Sequence, residues 1–180
     1  KFLLLLGSAA VIPMFLLLTA YSGDNVRTSG GIWSNSGSPG DGEDCSACHG
    51  GGLNTDNSWM TSDIPATGYI AGATYTITLT TTGGGGSAKK GFSVTCEDGS
   101  ANHMGTFVIT DATNTSYFDD HVSHLAAGNT LTTWSFDWTA PASGSGDVTF
   151  YASLLFNGYG GGVVNASQMY SEETVSSVND

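Results

Sequence analysis

Tyr75-Thr76-Ile77-Thr78-Leu79-Thr80 alternates apolar and polar residues without a break. In an extended chain this puts Tyr75, Ile77 and Leu79 on one face, where a helix would scatter them around its circumference. The same period of two returns in Phe92-Ser93-Val94-Thr95-Cys96, which turns Cys96 inward as a buried, inert thiol. It returns again over residues 131–138, where Trp134, Phe136 and Trp138 share a face. Thr106-Phe107-Val108-Ile109-Thr110 and the strongly apolar residues 148–156 predict two more strands. A weaker strand is expected over 170–178, and a further one around 59–64. Six or seven short strands separated by Gly, Asn and Pro-Ala turns predict an all-β fold, an antiparallel β-sandwich. No helical period persists after Tyr21 beyond a short turn expected near 118–124.

The composition fits an extracytoplasmic protein rich in turns. The 180 residues include 26 glycines, and 39% are hydrophobic, enough for one core. Only four residues are basic (Lys1, Arg27, Lys89 and Lys90), and the formal net charge is −12. That balance argues against nucleic acid and anionic membrane surfaces as partners. It favours solubility by repulsion, or basic partner proteins.

Residues 2–18 are almost wholly apolar and follow Lys1. They are expected to form a signal peptide or a retained helix, since the run approaches the roughly 20 residues that span a bilayer. Residues 21–44 are polar, glycine-rich and aperiodic, and are expected to form a loop. The expected division is therefore an apolar N-terminal segment over 1–21, a Gly/Ser-rich lead-in over 22–58 and a β-sandwich over 59–180.

Within the lead-in stands Cys45-Ser46-Ala47-Cys48-His49. C-x-x-C-H is the attachment pattern of a c-type haem: two thiols add to two vinyl groups, and the following histidine ligates the iron. The expectation is one covalent haem c held by Cys45, Cys48 and His49. The sixth iron position is open to His103, Met104, His121, His124, Met60 or Met169. The rival expectation is a structural staple. Zinc would need a fourth ligand beyond Cys45, Cys48 and His49, which His121 or His124 could supply. A plain disulfide needs only the two cysteines.

Several stretches share an order with a known family. They are Gly37-Ser38-Pro39-Gly40 ahead of the cysteine motif, Tyr69-Ile70-Ala71-Gly72-Ala73-Thr74-Tyr75 and Lys89-Lys90-Gly91-Phe92. Trp134-Ser135-Phe136-Asp137-Trp138-Thr139-Ala140-Pro141 and Gly146-Asp147-Val148-Thr149-Phe150-Tyr151-Ala152 follow. Together they resemble the bacterial choice-of-anchor V domain, which is related to the reeler (reelin N-terminal) domain. The resemblance runs from about Gly37 to the end and implies an immunoglobulin-like sandwich. It also implies a role for His124, because His121-Val122-Ser123-His124-Leu125 resembles the family's histidine-bearing stretch.

The function expected from these features is that of an exported monohaem cytochrome, with iron between His49 and His124. It would pass electrons to redox partner proteins and act without enzymatic chemistry. A retained N-terminal helix would let copies assemble into a homopolymer, and would be the chain's only contact with a membrane. The alternative is a cell-surface adhesion or structural sandwich stapled at the cysteine motif by zinc or a disulfide.

Overall fold

The computed structural model describes residues 34–85, 88–158 and 160–173. Among the described residues ten strands carry the fold: β1 (Leu53–Thr55), β2 (Met60–Ser62), β3 (Thr74–Thr80), β4 (Gly91–Glu97), β5 (Thr106–Val108), β6 (Thr115–Phe118), β7 (His121–His124), β8 (Thr133–Thr139), β9 (Val148–Leu155) and β10 (Val163–Tyr170). They form a six-stranded sheet in the order β1-β10-β9-β4-β7-β6 and a four-stranded sheet in the order β2-β3-β8-β5. Every pairing is antiparallel except that of β1 with β10. The expected all-β sandwich is present.

The alternation seen in the sequence builds the core directly. Pairing of β3 with β8 sets Ile77 opposite Phe136, Leu79 opposite Trp134 and Tyr75 opposite Trp138. From the other sheet, Val94, Cys96, Phe150, Ala152 and Leu154 face these residues. Trp138 is the hub. Its ring meets Phe150 edge-on at 4.9 Å and Tyr69 at 5.7 Å, and its indole N–H donates to the Met104 carbonyl at 2.9 Å. The close approach of this ring explains Gly105, which has φ +74°. A Cβ there would stand 2.4 Å from the indole nitrogen. Cys96 is buried as expected, and burial pushes its thiol well above the usual range.

The outer faces differ. On the four-stranded sheet, cross-strand hydroxyl contacts run Thr74–Thr139, Thr76–Asp137, Thr78–Ser135 and Thr80–Thr133. On the six-stranded sheet, one line of paired residues crosses all six strands: Thr55, Asn165, Ser153, Ser93, Ser123 and Ser116. Residues 34–49 lie over this sheet as a strap, so β4 is buried on both faces.

Two expectations change, and a third is not reached. Among the described residues the last long strand is Val163–Tyr170, earlier than the strand expected over 170–178, of which residues 174–178 lie outside the described residues. Residues 115–124 form a hairpin, β6 to β7, with Asp119 and Asp120 at its tip at φ 48° and 58°. The expected N-terminal apolar helix over 1–21 also lies outside the described residues. Among the described residues, no helix is long and apolar enough to cross a membrane.

Candidate functional site

The cysteine motif begins with a single 3-10 turn, Cys45–Ala47. Asp44 caps it: its carboxylate accepts from the Ser46 N–H at 2.7 Å and from the Asn165 side-chain amide at 2.8 Å. Burial alone would raise the Asp44 pKa. These donors outweigh it and hold the carboxyl below its usual range. The turn is seated on β9, with the Cys45 N–H donating to Ser153 Oγ at 3.0 Å. The Cys45 thiol points down onto the Ser153 carbonyl at 3.6 Å, and burial pushes it up to about 11. Cys48 and His49 close the turn, their N–H groups both donating to the Cys45 carbonyl, at 3.4 and 3.0 Å.

His124 ends β7. Its ring sits where a side chain on Gly91 would stand, with Cε1 2.2 Å from the ideal Cβ position. The Phe92 N–H donates to its Nδ1 at 3.2 Å. Burial, reinforced by His49 nearby, pushes the imidazole down to about 4 against a smaller opposing pull from the Phe92 main chain. The ring is therefore neutral near pH 7. Burial also holds His49 below the usual histidine range. The structure thus brings His124 into electrostatic range of the motif. Gly91 is the functional residue the sequence did not single out, although it sits in the quoted Lys-Lys-Gly-Phe stretch. Gly91→Ala is expected to evict the ring at a cost of roughly 1–3 kcal/mol. The His124 imidazole would then titrate close to 6.5 by NMR; an unchanged titration near 4 would refute the cradle.

The other candidates go elsewhere. His121 was expected among the ligand candidates. It is instead buried in an ion pair, with Nε2 3.0 Å from Asp41 Oδ1 and Nδ1 2.6 Å from the Asp119 carbonyl. His103 meets Thr95 Oγ1 at 3.0 Å through Nδ1. Met60 is in the core, Met104 packs against it, and Met169 is exposed. Lys90 is buried, with Nζ donating to the Ala88 carbonyl at 3.2 Å, while Lys89 donates to Asn129 Oδ1 at 2.9 Å.

Two mostly antiparallel sheets, one with a hydroxyl ladder outside and the other with a strapped face, define a β-sandwich module. The chain belongs to the Reeler domain family, whose profile matches residues 17–158. The human F-spondin reeler domain is similar in fold, with a TM-score of 0.54 at 20% identity, covering 68% of this chain and 94% of that domain. A second structure, of the Reelin-N domain of F-spondin, gives a TM-score of 0.56 at 20% identity, covering 71% of this chain and 94% of that one. In sequence, the Defense protein l(2)34Fc of Drosophila melanogaster is 33% identical over 82 residues, 42% of this chain and 52% of that protein. The chain thus spans about half the length of the curated relative it matches. Family membership places the chain outside the cytoplasm, among non-enzymatic modules.

The expectation of one covalent haem c is overturned. The Reeler domains to which the chain belongs are not haem proteins. Among the described residues, no group of three or more His, Cys, Asp or Glu side chains converges to hold a metal ion. The physical reason shows at Cys45. Its thiol is tucked between strap and strand against a carbonyl, protonated, where a porphyrin vinyl group would have to reach it. The haem-binding loop, the iron between His49 and His124 and the cytochrome electron-transfer role fall with it.

Proposed function

We propose that this chain is a cell-surface structural or adhesive module in which Cys45, Cys48, His49 and His124 mark a stapled corner of the strap. The observation that carries this is the Reeler sandwich with Cys45 and Cys48 in one hydrogen-bonded turn. A turn of this kind holds the two Cα atoms about 6 Å apart, within the span of a disulfide. The oxidising conditions outside the cytoplasm favour the bond. Exchange with a disulfide oxidant joins the two sulfurs. The oxidant leaves as two thiols, taking the two protons and two electrons. Closing so short a loop contributes about 2 kcal/mol. His49 and His124, both held neutral, flank the staple without adding charge to it.

Alkylation in denaturant tests the staple. Of the three cysteines, only Cys96 is expected to react before reduction, and all three after it. Reaction of all three before reduction, or zinc released in equal molar amount on unfolding, would replace the disulfide. Surface placement has its own test: protease added to intact cells should cleave the chain. Complete protection until lysis would overturn that placement.

A further inference from the structure

We propose that residues 34–49 form a lid that opens over the polar row of the six-stranded sheet, latched by the Asp41–His121 pair and released as pH rises. This holds whether or not Cys45 and Cys48 are joined.

The floor under the lid is the first argument. A sheet face covered by another layer is ordinarily apolar, because burial of apolar area is what holds layers together. Here the line that the strap crosses at Asn165 and Ser153 continues through Ser93 and Ser123 to Ser116 at the sheet edge. Ser93 Oγ, Ser116 Oγ and Asn165 Oδ1, all on that line, are buried and find no hydrogen-bond partner among the described residues. Removing the lid hydrates these atoms and exposes little that avoids water. The described lid is held by polar anchors: Ser38 Oγ on Glu97 at 2.5 Å, the Gly40 N–H on Glu97 at 3.1 Å, Cys45 on Ser153, Asp44 on Asn165, and Asp41 on His121. A layer held this way can open while the apolar core stays closed.

The latch is the second argument. Both ring nitrogens of His121 face oxygens: Nδ1 meets the Asp119 carbonyl at 2.6 Å, and Nε2 meets the Asp41 carboxylate at 3.0 and 3.1 Å. A carbonyl and a carboxylate only accept, so both contacts are made only by the doubly protonated imidazolium. Asp41 is fixed in turn by the Ser36 N–H at 2.8 Å and Ser36 Oγ at 2.6 Å. The other groups near His121 are the His103 ring at 5.3 Å, the Asp119 and Asp120 carboxyls at the hairpin tip, and Glu97 on the adjoining β4. Asp120 accepts from the Tyr117 hydroxyl, and Glu97 is taken by the lid itself.

The signs follow from the two partners. Burial would lower the His121 pKa, but Asp41 and the Asp119 carbonyl raise it overall. Its contribution is complete below about 6.5 and is lost as pH rises through the raised value. Burial would raise Asp41, but His121 and Ser36 lower it overall. Its contribution is complete above about 4 and is lost as pH falls through the lowered value. The latch is therefore fully closed between about pH 4 and 6.5. His124, held low, acts with the opposite sign on the acid side, so the informative range is pH 6 upward.

Hydrogen exchange read by mass spectrometry tests the lid, with rates corrected for the intrinsic pH dependence of exchange. From about pH 6 to about pH 8.5, peptides spanning 35–48 are expected to gain roughly 10- to 100-fold in opening, the loss of one charged buried hydrogen bond. Peptides of β3 and β8 should not change. Asp41→Asn should open the lid at both pH values and abolish its pH dependence. Lid exchange that is independent of pH in the wild type, or that rises only in step with β3 and β8, overturns the proposal. The wild-type pH series decides the matter even if the variant does not fold.

Discussion

Trp138→Ala is expected to lower the free energy of unfolding by roughly 3–5 kcal/mol. That is a large share of the roughly 5–15 kcal/mol that stabilises a domain. The ring is fully buried, packs on Tyr69, Tyr75 and Phe150, and ties the core to the Met104 main chain. Alanine removes the ring contacts and leaves a cavity between the sheets together with an unpaired carbonyl. Urea titration followed by far-UV circular dichroism should show the midpoint falling at constant slope. Trp138→Phe keeps most of the packing and loses only the indole donor, so roughly 1–3 kcal/mol is expected. A near-neutral alanine variant would show that the aromatic cluster is not the keystone of the fold.

Glu97→Ala is the second large effect, and it acts on a different layer. Glu97 is fully buried on the outer side of β4, where it accepts from the Ser38 hydroxyl and the Gly40 N–H. Losing the carboxylate strands both donors, at roughly 2–4 kcal/mol, one to two for each. Gly40 belongs to the same arrangement, since a Cβ there would stand 2.5 Å from Glu97 Oε1. The loss should appear first as faster exchange of amides 36–42, with β8 amides affected less. Uniform loss of protection across both sheets would mean that Glu97 supports the sandwich itself.

The parts of the fold legible in the sequence were those where one face is buried and the other wet. β3 and β8 alternate cleanly because their outer residues are the exposed hydroxyl ladder. β10 is hard to read because its inward stripe runs Val164, Ala166 and then polar Gln168 before Tyr170, too weak a pattern to announce a strand. The β6–β7 hairpin was hidden by its turn. Asp-Asp at positive φ is a rarer solution than Asn-Gly, and it reads as a polar loop.

The site was legible as residue types but not as chemistry. Cys45-Ser46-Ala47-Cys48-His49 names two thiols and an imidazole. It does not say that Cys45 turns inward onto a strand carbonyl, since Ser153 lies 108 residues away. His121 reads as a ligand candidate in the sequence because its partner, Asp41, is 80 residues distant. The approach of His124 to the motif followed from the resemblance, and the glycine that permits it emerged only from the packing.

The polar row beneath the strap also bears on how such a chain changes over generations. Core and covering layer meet through a few polar anchors at Glu97, Ser153, Asn165 and His121, so neither constrains the shape of the other closely. A mutation in the covering segment is judged by a handful of hydrogen bonds, and a mutation in the core by its packing. The two can drift at separate rates. One inherited sandwich can thus exchange its outer segment, and whatever that segment carries, without relearning how to fold.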